Sequence, residues 1–329
     1  PFDAHFMTPA FFEGGRITRG GTHYLKMDGE PVPVHKTEFA QDSVFGYSHS
    51  YLPDYVEEKT SGRIAADQVG VFQLDDIRQG TLDQLMALSG NQCVAVDAET
   101  QADLDRFAQD VLTAAGQGKR FLFRSAASLL TALANLPPQP VSAEDMAQFT
   151  THKSGAVLVG SHVQMTTKQL YRLLEDPDTV GVEVAVARLV DGTTEDHEQL
   201  LESTLSQAKQ AHRDGKTPVI YTSRQELTFS STDVRLTFGT AVSALLMDVV
   251  RGLPPTIGYL ISKGGITSND VLSTGLSLGS ARLLGQILPG CSIVRTPETH
   301  PRFPNLPVVL FPGNVGDVDG LLTVYQRLR

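Results

Sequence analysis

The residues best equipped for chemistry lie in the last third of the chain. The apolar run from Thr256 to Ser262 ends at Lys263-Gly264-Gly265-Ile266-Thr267-Ser268, and a helix is expected from Asn269-Asp270-Val271. In the order strand, cation, glycine turn, hydroxyl and helix start, backbone N–H groups can cradle a phosphate while the lysine adds point charge. The loop is not a Walker A motif, because GxxxxGK[ST] is absent. Two further segments repeat the arrangement. Val308 to Phe311 leads into Pro312-Gly313-Asn314-Val315-Gly316 and Asp317, and Val157-Leu158-Val159 leads into Gly160-Ser161. A single loop of this kind needs glycine only for φ > 0. Three at carboxyl ends of strands in one half of the chain point to an anion-binding face, since ligands of open α/β sheets bind there.

A second group of candidates sits near the start. Glu13-Gly14-Gly15-Arg16-Ile17-Thr18-Arg19-Gly20-Gly21-Thr22-His23 reads as flexible glycine-rich backbone carrying two arginines and a histidine. Planar guanidinium groups presented this way suit a carboxylate, although pairing with the chain's own acids explains them equally well. Arg124 follows the strand Phe121 to Phe123 and so also stands at a carboxyl end. The pentapeptide Gly275-Leu276-Ser277-Leu278-Gly279 fits the GxSxG elbow of serine hydrolases. That elbow needs a strand directly before it, whereas Ser268 to Thr274 is polar and the apolar spacing continues through Leu276 toward Ala281, Leu284 and Ile287 as in a helix.

These groups must be held by an α/β framework, because β-branched apolar runs alternate with segments of helical period. Strands are expected at Val69 to Leu74, Cys93 to Asp97, Arg120 to Arg124, Ala156 to Gly160, Val180 to Ala187, Pro218 to Thr222, Thr256 to Ser262, Ser292 to Arg295 and Pro307 to Phe311. Leu104, Phe107, Val111 and Leu112 mark a helix after Thr100, as do Leu170, Leu173 and Leu174 after Thr166 and Thr167, with the hydroxyl residues as N-caps. Leu136-Pro137-Pro138-Gln139-Pro140 cannot continue a helix or a central strand, which puts a domain boundary there, between 1–140 and 141–329. Little periodicity is visible from Glu13 to Ser61.

Composition narrows the function. A net charge of −10 opposes nucleic-acid binding, which depends on clustered Lys and Arg. No apolar run is long enough to span a membrane, and the two cysteines, Cys93 and Cys291, form neither a disulfide framework nor a zinc motif. A reducing, cytoplasmic setting is expected. The nine histidines show no metal spacing, so no protein metal site is expected. A nicotinamide-binding Rossmann domain is disfavoured by the absence of GxGxxG.

With those residues in view, the chain resembles the four-carbon acid sugar kinases, a bacterial family formerly known only as a domain of unknown function. The resemblance rests on Pro9-Ala10-Phe11, Gly14-Gly15-Arg16, Gly20-Gly21-Thr22-His23-Tyr24, Val96-Asp97-Ala98, Arg124-Ser125-Ala126-Ala127-Ser128 and Val159-Gly160-Ser161. It continues through Lys263 to Asp270, Gly285-Gln286-Ile287-Leu288-Pro289-Gly290 and Phe311 to Gly316. It implies an N-terminal domain for a sugar acid such as threonate, erythronate or a 3-oxo-tetronate, a C-terminal domain for ATP with Mg²⁺, and phosphoryl transfer to a terminal hydroxyl. The implied fold is α/β, two domains with mostly parallel sheets flanked by helices and a ligand cleft between them. By position, Ser161, Gly264, Gly265, Ile266, Thr267 and Gly313 would contact the nucleotide, with Asn314 and Gly316 in the same loop. Lys263 would oppose the β- and γ-phosphates, and Arg16, Arg19, His23 and Arg124 would serve the sugar acid. Asp270 or Asp317 could order a metal-bound water or merely match a helix dipole. No catalytic base is assigned.

The family's aspartate-rich DDxTGA-type and lysine-rich KxDSTLRGN-type segments precede the stretch matched at Pro9, and neither occurs in these 329 residues. The chain therefore reads as a member without that opening segment. The alternative is a truncated or split-gene nucleotide-binding protein without activity of its own, completed by a second chain; assembly with further copies is left open. Binding and turnover should then separate. The 329 residues are expected to bind Mg·ATP yet phosphorylate none of the three tetronates above background in steady-state assays, and supplying the opening segment should restore turnover. Robust activity without it would show those motifs to be dispensable.

Overall fold

Strand β1, Ala4–Thr8, buries four of its five residues and forms the spine of the first sheet. The computed structural model describes the chain apart from residues 28, 42–45, 137, 138, 191, 225, 226, 228 and 230, in two units, Pro1–Pro138 and Gln139–Arg329. Pro137 and Pro138 of the expected linker lie outside the described residues.

In the first unit, β2 (Arg16–Arg19), β3 (Thr22–Met27) and β4 (Glu30–Pro33) make a small antiparallel sheet, followed by α1 (Leu52–Thr60). Then come β5 (Gly70–Phe72), α2 (Leu74–Gln79), α3 (Leu82–Ala87), β6 (Gln92–Val96), α4 (Gln101–Gly116), β7 (Phe121–Ser125) and α5 (Ala127–Ala134). The main sheet is parallel with order β5-β6-β1-β7. Phe6 of β1 anchors its core, edge-on to Phe107 of α4 at 5.5 Å and stacked on Phe123 of β7 at 5.3 Å. Such pairs add to the area they bury. Thr100 caps α4 reciprocally with Asp103, as expected. Leu112 is 53% exposed, not part of the core, because the residue after buried Val111 turns about 100° toward solvent.

The stretch expected to be a flexible glycine loop is an ordered hairpin instead. Arg19 pairs with Thr22, and Gly20 and Gly21 have φ of 56° and 70°. Two positive φ values in a two-residue turn are the type I′ geometry that matches strand twist, so the glycines close the turn.

The second unit contains β8 (Ala156–Val159), α6 (Gln164–Leu174), β9 (Thr179–Val184), α7 (Thr194–Arg213), β10 (Thr217–Thr222), α8 (Thr232–Gly252) and β11 (Leu260–Lys263). It continues with α9 (Gly265–Asp270), β12 (Arg282–Leu288), β13 (Cys291–Arg295), β14 (Pro307–Phe311) and α10 (Gly320–Leu328). The seven-stranded order is β12-β13-β14-β11-β8-β10-β9, parallel from β14 to β9 and antiparallel at β12 and β13. Apolar residues cover both faces, as a parallel sheet requires.

Three local expectations change. The helix expected from Asn269 begins at Gly265, with Gly264 as N-cap at φ 127°, and runs on into a π-helical turn, Val271–Gly275. Ser277, at φ 52°, lies beyond that turn, and the apolar spacing toward Ile287 becomes strand β12. No strand precedes Ser277, so the hydrolase elbow is absent. Helix α6 starts at Gln164 after Val163, and Thr166 and Thr167 lie inside it, not at its cap. Among the described residues no helix is long and apolar enough to cross a membrane.

The ends of β11 and β14 are tied by Lys263, which is fully buried. Its Nζ donates to the carbonyl of Pro312 at 2.7 Å, reaches that of Gly313 at 3.3 Å, and lies 3.9 Å from the centroid of the Phe311 ring. Burial lowers its pKa to about 7, with the Cys291 sulfur acting weakly the other way. The unfolded chain therefore binds more protons than the folded one above that value, and this side chain makes stability rise with pH. Across pH ~7 to ~8.5 the unfolding free energy of wild type minus that of Lys263→Met should increase by up to about 1.4 kcal/mol per pH unit in chemical denaturation. A difference that does not vary with pH would show that the ammonium stays charged in the fold.

Candidate functional site

Strands β1 and β7 are parallel neighbours, and the backbone past their carboxyl ends lines a cavity of about 290 Å³ within the first unit. Met7 comes from β1 and Pro9 from the backbone just past it, Arg124 and Ser125 from β7, and Arg16 and His23 from the β2–β3 hairpin. Burial lowers the pKa of Arg16, partly offset by Tyr47, yet an arginine keeps its charge. Arg124 lies over the Tyr55 ring at 5.6 Å and donates to its hydroxyl at 3.2 Å, which fixes the guanidinium plane. Together they put two planar cations on one small cavity.

His23 is 7% exposed. Burial first, and the charge of Arg16 second, hold its pKa down at about 4, so it is neutral near pH 7. Its Nδ1 lies 3.2 Å from the Ile17 carbonyl. A carbonyl can only accept, so Nδ1 carries the hydrogen and Nε2 is left as an acceptor suited to a hydroxyl. The hairpin that carries Arg16 and His23 is held by Asp97, at the carboxyl end of β6. Its buried carboxylate accepts from the amides of Gly20 at 2.6 Å and Gly21 at 2.9 Å. Burial raises the pKa of Asp97 and those two bonds lower it. Arg19 is not among the residues lining the cavity; it pairs with Glu99.

In the second unit, β14, β11, β8 and β10 are consecutive, so the loops after them share one edge of the sheet. A Cβ on Gly313 would lie 2.8 Å from Ser161 Oγ, one on Gly264 3.1 Å from Ser161 Cβ, and one on Gly160 would collide with Thr267 Oγ1. Ser161, Gly264, Thr267 and Gly313 are thus brought together, and only glycine allows the approach. The Thr166 hydroxyl is within hydrogen-bond distance of Ser161 Oγ (3.2 Å) and the Gly313 carbonyl (3.0 Å). Gln169 supports the loop around Asn314 and Gly316 by donating to the carbonyls of Val315 and Asp317. Gly265 faces open space, and Ile266 is 80% exposed at the start of α9.

Lys263 does not present its ammonium outward, since the Pro312 and Gly313 carbonyls engage it. Asp270 accepts from Ser243 at 2.5 Å and ends α9, not begins it; Asp317 accepts from the Asp319 amide. Among the described residues no three His, Cys, Asp or Glu side chains gather to hold a metal. Two residues escaped the sequence reading. Asp97 had only its place in the family pattern to mark it. Arg224 follows β10, and the rule that singled out Arg124 would have found it; its Nη2 donates to the Ser161 carbonyl at 2.7 Å and to Thr167 Oγ1 at 2.8 Å.

Comparison with known proteins places both halves. Residues 1–133 match the sugar-binding N-terminal domain family, and residues 156–321 match the nucleotide-binding C-terminal domain family. No curated protein matches the chain. Among solved structures, a Salmonella typhimurium LT2 protein provisionally named a tRNA synthase is similar at 20% identity and TM-score 0.66, over 99% of this chain and 73% of the other. That likeness is one of fold. A Bordetella bronchiseptica domain of unknown function, solved as a domain-swapped dimer with bound citrate, shows 20% identity and TM-score 0.44 over 99% of this chain and 72% of the other. Matched in order through a sugar-binding and then a nucleotide-binding domain, the chain belongs to the four-carbon acid sugar kinase family.

Proposed function

We propose that the chain supplies the two binding sites of an ATP-dependent sugar-acid kinase that phosphorylates a terminal hydroxyl of a four-carbon acid. The observation that carries this reading is the cavity of the sugar-binding domain, where Arg16, Arg124 and a neutral His23 converge. Two guanidinium groups suit one carboxylate, and each charge-assisted bond contributes about 1.5–3 kcal/mol. The His23 Nε2 acceptor suits a sugar hydroxyl. A cavity of about 290 Å³ suits a small, polar acid.

The nucleotide falls to the loops of the second domain. Ser161, Gly264 to Thr267 and Gly313 would contact it, with Asn314 and Gly316 completing the last loop. Mg²⁺ belongs to the substrate, Mg·ATP, bridging its phosphate oxygens. Lys263 acts indirectly, by holding the Pro312–Gly313 carbonyls and so the shape of the phosphate cradle. Phosphoryl transfer asks mainly for alignment and relief of charge, so binding loops and fixed cations can supply most of the acceleration.

Calorimetric titration tests the acid site. Arg16→Met and Arg124→Met should each weaken threonate or erythronate binding by roughly 10- to 100-fold, while leaving any weak binding of the uncharged tetritol unchanged. Failure of the wild-type chain to bind any tetronate would overturn the reading.

Glycine variants test the nucleotide loops. Gly265 has open space and no strained φ, so Gly265→Val should change stability by less than about 0.5 kcal/mol yet weaken ATP binding at least tenfold by blocking backbone approach. Gly264, at φ 127° against Ser161, should lose about 1–3 kcal/mol of stability as Val. Parallel loss of stability and binding in Gly265→Val would reduce the loop to a simple turn.

A further inference from the structure

The charge of a triphosphate must be met by a cation, and the one that the sequence puts beside the glycine loops is enclosed. Lys263 is fully buried and its ammonium is engaged by two carbonyls. The next strand end offers another cation. β10 pairs directly with β8, so Arg224, two residues beyond β10, stands beside the Gly160–Ser161 loop. Three of its contacts are anchoring. Nη2 donates to the Ser161 carbonyl at 2.7 Å and to Thr167 Oγ1 at 2.8 Å, and Nε reaches the same hydroxyl at 3.3 Å.

The other terminal nitrogen is different. Nη1 is shielded from solvent and meets no hydrogen-bond partner among the described residues. A buried donor left unmet is costly, and more so when it is charged. Such a group in a native fold calls for a partner, and an anion is one that matches its charge. No carboxylate among the described residues pairs with this guanidinium; the groups that offset its desolvation are the phenols of Tyr171 and Tyr221. An arginine so placed is suited to phosphate, since its planar fork can hold one partner on each side.

We propose that Arg224 is the cation of the nucleotide site, with Nη1 taking a phosphate oxygen while Nη2 holds the Ser161 carbonyl. One side chain then sets both the charge at the cradle and the position of its serine loop. This rests on the reading of the second domain as the ATP site and adds to it the residue that recognises the polyphosphate.

The test compares Arg224→Gln, which keeps a donor for Ser161 but no charge, with Arg224→Lys, which keeps the charge. Each full-length variant is titrated with ATP, inorganic tripolyphosphate and adenosine after a thermal melt establishes folding. Arg224→Gln should lose at least tenfold in affinity for ATP and tripolyphosphate and keep its affinity for adenosine, with Arg224→Lys lying between it and wild type. Equal loss for all three ligands would mark a purely structural role and overturn the proposal. So would unchanged ATP binding in Arg224→Gln, with the nucleotide reading left standing. If Arg224→Gln does not fold, Arg224→Lys decides: adenosine binding kept with triphosphate affinity lowered supports the proposal, and a uniform change in both overturns it. A wild-type chain that binds neither ATP nor tripolyphosphate would remove the nucleotide reading and this proposal with it.

Discussion

Ser161 and Gly313 lie so close that a single added carbon on the glycine would sit 2.8 Å from the serine hydroxyl. That approach is what the rest of the second domain serves. The parallel order β14-β11-β8-β10 brings the strand ends side by side. Lys263 joins the ends of β11 and β14 from within, Gln169 holds the last loop from α6, and Arg224 holds the Ser161 carbonyl. Each link is a donor meeting a carbonyl that the strand ladders leave unpaired. The loops are held together because their backbone acceptors are satisfied from several sides at once.

The first domain solves a similar problem with a carboxylate. An arginine and a histidine on a two-residue hairpin would sample many positions if the turn were free. Asp97 prevents this by gripping both turn amides, and backbone bonds between Thr18 and Ala98 extend the hold. The charge that burial disfavours is kept useful by two N–H groups aimed at it. The same burial keeps His23 neutral, and the bond from Nδ1 to Ile17 selects which nitrogen can accept. Electrostatics and backbone geometry thus assign the polarity of this cavity together.

The two domains share one architectural rule. In each, the groups proposed to meet ligand gather around the carboxyl ends of adjacent parallel strands, where side chains from several segments can converge. The difference lies in what is presented. In the proposed reading the first domain would offer side chains, Arg16, His23 and Arg124, to a small acid; the second would offer mainly backbone, with glycine removing the Cβ that would keep an anion away.

How much of this was legible in the sequence depends on how local the cause is. Alternation of apolar runs with helical-period segments established the α/β class, and strand-then-glycine order exposed Ser161, Gly264 and Gly313, because strands and tight turns are determined by a few consecutive residues. Arg124 was legible for the same reason. Strand β1 was not, since its five residues become a spine only by pairing with β6 and β7, more than eighty positions away. Strand β12 carried a helix-like spacing that pairing with β13 overrode. The tertiary structure alone decided that Lys263 turns inward and Arg224 stands beside Ser161, because the direction of a side chain's charge is set by which carbonyls the fold brings to it.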